Sequence, residues 1–218
     1  MVRRIKQHPY HSQRGFNLIE LLIVVAIVGI LVAIALPQLI ANRRLIRFAN
    51  VPREVVTQLR SARQQAMSQR QAFTVVYDNT AKKITIIDHN ASGTSLLTDG
   101  NFPNTTGSTT VSAIPLTSEG LPASEISYGL PSGVTLSGGK LSDGTTAITS
   151  VPTSGKLYFT FQPDGSVLDS SGNAVNTAIF FKSSNSSAET KTASAISILG
   201  TTGRIKSWRY SSGNNYVE

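Results

Sequence analysis

Glu20 is the residue whose position most needs a chemical account. It lies one turn into an apolar segment, and an acid at the centre of a membrane helix costs roughly 2.5 to 3.5 kcal/mol even on lenient insertion scales. Such a group usually has a partner. Gly15 directly precedes Phe16, and a cut between them would give Phe16 a free amine four residues from Glu20, on the same side of a helix. Cleavage would itself create the counter-charge. The pair could close within one helix, or the Glu20 of one packed helix could meet the Phe16 amine of its neighbour and fix axial register, a task a buried ion pair does better than adding stability. The alternative is a plain single-pass anchor whose glutamate snorkels to the interface.

A second group of chemistry-bearing residues lies near the C-terminus. Gly203-Arg204-Ile205-Lys206-Ser207-Trp208-Arg209-Tyr210 joins three cations to two aromatic rings. Cations on phosphates and rings stacked on bases are what sequence-tolerant DNA binding uses, so Arg204, Lys206, Trp208 and Arg209 are candidate DNA contacts. The competing reading is a last β-strand with Arg204, Lys206 and Trp208 on one face and Ile205, Ser207 and Arg209 on the other. Asp164, Asp169 and Asn173 could be imagined around a calcium ion, but their spacing is not that of an EF-hand, and a pair of turns explains them. No metal or other cofactor is expected. His8 and His11 lie before the Gly15/Phe16 junction, His89 stands alone, and no acid pair or serine has a recognisable catalytic partner, so no enzyme is expected. Cysteine is absent, which excludes disulfides and thiolate metal sites.

The elements that must position these residues begin with Leu21 to Leu36, an unbroken run of sixteen apolar residues. Counted from Phe16 it gives roughly 31 Å of helix at about 1.5 Å per residue, enough to span a bilayer core. A secretory signal would have a shorter apolar region followed by small residues at a cleavage site. Here the run ends at Leu36-Pro37-Gln38, and the small-residue step precedes it, at Gly15. The formal net charge of +8 also divides at this junction. Four bases and no acid precede it, leaving 16 bases against 12 acids. The remaining positive charge concentrates between Arg43 and Arg70.

Leu45, Phe48, Pro52, Val55, Leu59, Ala62 and Ala66 recur at helical spacing, the stripe of a helix packing on a sheet, with a kink or restart expected at Pro52. After Gln71 the period becomes strand-like. Phe73–Tyr77 and Lys83–Ile87 predict a hairpin, with further clear strands at Lys156–Phe161, Ala178–Phe181 and Ala195–Leu199 and short ones at Val111–Ile114, Glu125–Tyr128 and Val134–Leu136. The expected fold class is α+β, a long N-terminal hydrophobic helix whose C-terminal half packs on an antiparallel β-sheet head. The expected divisions are a leader at 1–15, a membrane or filament-core helix at 16–37, an amphipathic stem helix at 38–71 and a β-rich head at 72–218.

Arg14-Gly15-Phe16-Asn17-Leu18-Ile19-Glu20-Leu21-Leu22, with the apolar run directly behind it, resembles the class III signal of type IV prepilins and type II secretion pseudopilins. The resemblance implies that a prepilin peptidase cuts after Gly15 and methylates the Phe16 amine, and that Glu20 is the assembly glutamate. It also implies a single-pass protein of the bacterial inner membrane with its head in the periplasm. That protein contacts membrane lipid before assembly, meets an inner-membrane assembly platform, and joins other pilin or pseudopilin subunits in a filament. Leu59–Ala66, Phe159–Gly165 and Gly203–Lys206 further resemble minor pilins and pseudopilins of the FimT and GspH type. Some FimT-like members of transformable bacteria bind DNA through a C-terminal Gly-Arg-x-Arg segment, whose fourth position is Lys206 here. Two functions remain open, a structural minor subunit of a type IV pilus or type II secretion pseudopilus and a DNA-binding minor pilin for DNA uptake.

Overall fold

The computed structural model describes residues 17–90, 107–116, 121–149, 155–168, 173–213 and 215–218. The first helix, α1, spans Leu18–Gln69. Asn17 caps it, its Oδ1 accepting from the Ile19 amide at 3.3 Å while its carbonyl accepts from the Leu21 amide at 3.1 Å. At the other end the Gln71 amide donates to the Ala66 carbonyl, with Arg70 in the left-handed conformation at φ 57°, a cap that turns the chain towards the sheets.

The chain forms two compact units, 1–43 and 44–218. In the first, the large apolar side chains from Leu18 to Ile40 are exposed on every side of α1. A helix apolar all round suits a membrane span or the interior of a helix bundle rather than a water-facing surface. In the second, Phe48, Pro52, Val55, Leu59, Ala62 and Ala66 are buried as their spacing predicts, with Val51 and Val56 beside them. The expected restart at Pro52 is not found, because α1 continues through it. A proline there forfeits the hydrogen bond to the Phe48 carbonyl, and burial of its ring against the core offsets part of that loss.

Among the described residues ten strands follow: β1 (Phe73–Asp78), β2 (Lys83–Asp88), β3 (Thr109–Pro115), β4 (Ile126–Tyr128), β5 (Thr146–Ala147), β6 (Lys156–Phe161), β7 (Thr177–Ser183), β8 (Ser194–Leu199), β9 (Arg204–Tyr210) and β10 (Tyr216–Val217), with a four-residue helix α2 (Glu189–Thr192) before β8. They form two sheets, ordered β3-β2-β1-β6 and β10-β9-β8-β7-β4. The pairing is antiparallel except that β5 lies parallel to β7. The β1–β2 turn is set by Asp78, whose Oδ1 accepts from the Thr80 and Ala81 amides at 2.9 and 2.7 Å.

One core joins the head portion of α1 to both sheets, through Phe48 and Leu59 from the helix, Val75 and Ile84 from the first sheet, and Ile179, Phe181 and Ile196 from the second. Burying each such side chain stabilises the fold by about 1.5 to 3 kcal/mol. The second sheet is covered on its other face as well. There Phe180, Ala195 and Trp208 pack with Val134 and Leu141 from the segment 130–145. That packing corrects the strand expected at Val134–Leu136. The segment is irregular and leads into a 3₁₀ turn at Ser137–Gly139, with Gly133, Gly138 and Gly139 all at positive φ. Those glycines break a strand and let the chain fold down as a lid on the sheet.

Candidate functional site

The N-terminal candidates divide at the edge of the described residues. Gly15 and Phe16 lie outside them. Glu20 is exposed in the first turn of α1, third after the Asn17 cap. That position alone favours an acid, since the unpaired amides of a helix start attract negative charge, worth about 0.3 to 1 kcal/mol.

The C-terminal candidates all fall on β9, but the strand does not hold them as one site. Ile205 faces the core shared with α1, whereas Trp208 and Tyr210 face the lid-covered side, as alternation requires. Trp208 is only 6 % exposed, so its ring face is not available to stack on a base. Its indole N–H donates to Ser197 Oγ at 2.8 Å, and that hydroxyl donates to Asp143 Oδ2 at 2.6 Å. The chain of donors ties the lid to the sheet. Lys206 Nζ pairs with the Glu218 carboxylate and lies 5.1 Å from the Trp208 ring centroid. Arg204 and Arg209 are exposed. β9 is not the last strand, since β10 pairs with it at Tyr210 and Arg209.

Burial works to raise the Asp143 pKa, but donation from Ser197 and Thr145 and the nearby Lys206 outweigh it and hold the carboxyl below the ordinary range. A carboxylate more acidic in the folded than in the unfolded chain adds stability that is present above its unfolded pKa and lost as pH falls through the folded one. Thermal melts are therefore expected to drop as pH falls below the ordinary aspartate range. Asp143→Asn should lower the neutral-pH midpoint and flatten part of that acid limb, the rest belonging to Asp164 and Glu189, which shift the same way.

Arg204 belongs to a different neighbourhood, a groove of about 650 Å³ that it lines with Arg60 and Arg63 of α1. Arg63 is already engaged there. Its Nη2 donates to the Thr202 carbonyl at 3.0 Å and its Nε to the Gly165 carbonyl at 3.4 Å. Gly203 lies directly on Gly165, so that a Cβ on it would fall 1.8 Å from the Gly165 oxygen. The segments Leu59–Ala66, Phe159–Gly165 and Gly203–Lys206 therefore meet at one point. Their separate spacings gave no signal of that junction.

Asp164 and His89 each have hydrogen-bond partners within the head. Asp164 Oδ1 accepts from the Ser166 amide and hydroxyl at 2.9 and 2.6 Å, which closes a turn, while Asp169 lies outside the described residues. No cluster of three or more metal-ligating side chains occurs among the described residues. His89 is buried with Nε2 2.6 Å from Thr74 Oγ1, and burial lowers its pKa against the pull of Asp88.

A long capped helix, apolar on all sides at its start, is thus followed by two β-sheets. Residues 10–36 match the prokaryotic N-terminal methylation motif, which identifies the N-terminus as prepilin-like. No curated protein matches the chain. The crystal structure of the type IV minor pilin FimU of Pseudomonas aeruginosa is similar at a TM-score of 0.40 and 14% identity, over 78% of this chain and 91% of that one, a likeness too distant to assign anything further.

Proposed function

We propose that the protein is a minor pilin or pseudopilin, a structural subunit of a type IV pilus or type II secretion pseudopilus, cut between Gly15 and Phe16 by a prepilin peptidase and assembled through α1. The observation that carries this reading is the methylation motif over residues 10–36, running into a helix whose apolar side chains are exposed all round. Such a helix needs lipid before assembly and neighbouring helices after it. On this reading residues 1–15 are the leader, 16–37 the membrane and filament-core helix, 38–71 the stem and 72–218 the head. Glu20 then pairs with the Phe16 amine, the head is periplasmic, and the partners are the assembly platform and other subunits. The mature chain is expected to begin at a methylated Phe16, which intact-mass measurement of assembled protein checks. A retained Met1 leader in assembled material would overturn the reading.

DNA capture is the second reading, and the observation favouring it is that Arg60 and Arg204 share one groove. The burial of Trp208 and the pairing of Lys206 with Glu218 weigh against it. Arg204→Ala with Lys206→Ala is therefore expected to leave filament incorporation unchanged. DNA binding by the purified protein that is salt-sensitive and abolished by this double change would establish the second reading.

A further inference from the structure

A groove of about 620 Å³ opens between the α1 turns carrying Ile46 and Arg53 and the ends of β9 and β10. Two features set it apart from an ordinary surface depression. Ile46 and Val217 line it while 65 % and 49 % exposed, giving it an apolar floor that water still covers. Arg53, Lys191 and Arg209 also line it, all three exposed and none bonded to an acid among the described residues. The groove's one acid, Glu218, is taken by Lys206. Like charges gathered around one concave surface raise its potential and attract an anionic occupant.

The apolar floor narrows the chemistry of that occupant. A bare polyanion would satisfy the cations but leave Ile46 and Val217 in contact with charged backbone, and Trp208, buried on the far face of β9, offers no ring to stack on. A segment with both carboxylates and aliphatic side chains satisfies both features. β10 ends the second sheet, and an extended segment lying along that edge would send alternate side chains to opposite sides.

We infer that this groove docks an acidic peptide segment, extended, with aliphatic residues alternating with its carboxylates. The inference goes beyond the assembly reading, which requires only the N-terminal helix, and it stands or falls without reference to Glu20.

The test uses the full-length chain in nanodiscs of neutral phosphatidylcholine and a synthetic peptide of alternating glutamate and leucine. Calorimetry measures affinity. Saturable binding is expected, weakening about tenfold between low and moderate salt as exposed charges are screened. The combined change Arg53→Glu, Lys191→Glu and Arg209→Glu is expected to lose that peptide and to gain an alternating lysine–leucine peptide, a gain only a folded protein can show. Val217→Asp should weaken binding with the cations intact. The proposal is overturned if the glutamate–leucine peptide does not bind or if a glutamate–serine peptide binds equally well. It is also overturned if the charge reversal changes nothing, or if a single-stranded oligonucleotide or phosphatidylglycerol vesicles are held through these cations more tightly than the peptide.

Discussion

Glu20→Ala is expected to leave the protein cut and membrane-bound but missing from filaments. On the proposed reading the carboxylate meets the Phe16 amine among packed apolar helices, and removing one partner of a buried pair costs about 3 to 5 kcal/mol because the other charge is left uncompensated. Every 1.4 kcal/mol is tenfold in an equilibrium, so incorporation should fall about 100-fold or more. Immunoblots of sheared filaments against the membrane fraction measure the partition, and intact mass shows whether the leader has been removed.

The structure also supplies a rival role, because Glu20 stands in the first turn after the Asn17 cap, where an acid or glutamine commonly supports the helix start. Glu20→Gln separates the two. Glutamine keeps the capping capacity and loses the charge, so normal incorporation of the glutamine variant would assign Glu20 to the cap and remove the ion pair.

The features read most directly from the sequence are those set by local periodicity. The apolar run from Leu21, the three-and-four spacing from Leu45 to Ala66 and the alternation in Phe73–Tyr77 and Lys83–Ile87 each need only neighbouring residues to be read, and α1, β1 and β2 follow them. Alternation also places Trp208 on the correct face of β9. What it cannot reveal is that this face is covered, because the cover comes from Val134 and Leu141 more than sixty residues earlier, in a segment whose glycines erase any period. The arrangement of the strands within the head is not legible for a related reason. The division into two sheets depends on strand order, which is non-local, and β6 returning to pair with β1 rather than joining β7 leaves no local trace. Among the candidate site residues, the cations are visible as residue types, but their distribution is not. Arg204 joins Arg60 at one groove and Arg209 joins Arg53 at another, a separation set by the length of β9 and the path of α1.

The glycine of the C-terminal Gly-Arg pair carries the second large effect, and it falls on stability rather than binding. Gly203→Ala is expected to destabilise the head by about 3 kcal/mol or more, a size reserved for a few mechanisms, of which two act here. The residue sits at φ 60°, where an L side chain costs roughly 1 to 2 kcal/mol. Its Cβ would also fall 1.8 Å from the Gly165 carbonyl oxygen and 2.7 Å from Arg63 Nε. Backbone cannot swing aside as a side-chain tip can, so the turns at 162–166 and 199–203 must part and Arg63 must give up its hold on the Gly165 and Thr202 carbonyls. Gly213→Ala isolates the first mechanism from the second, because Gly213 has the same φ of 60° and nothing within 4 Å of an added Cβ. Denaturant unfolding of the two variants, followed by Trp208 fluorescence, should show the Gly203 change costing at least twice the other. Equal losses would mean that the two turns do not dock as described. The expected difference would mean that the Gly203-Arg204 pair is needed first for joining helix and sheets, whatever Arg204 then contacts outside the protein.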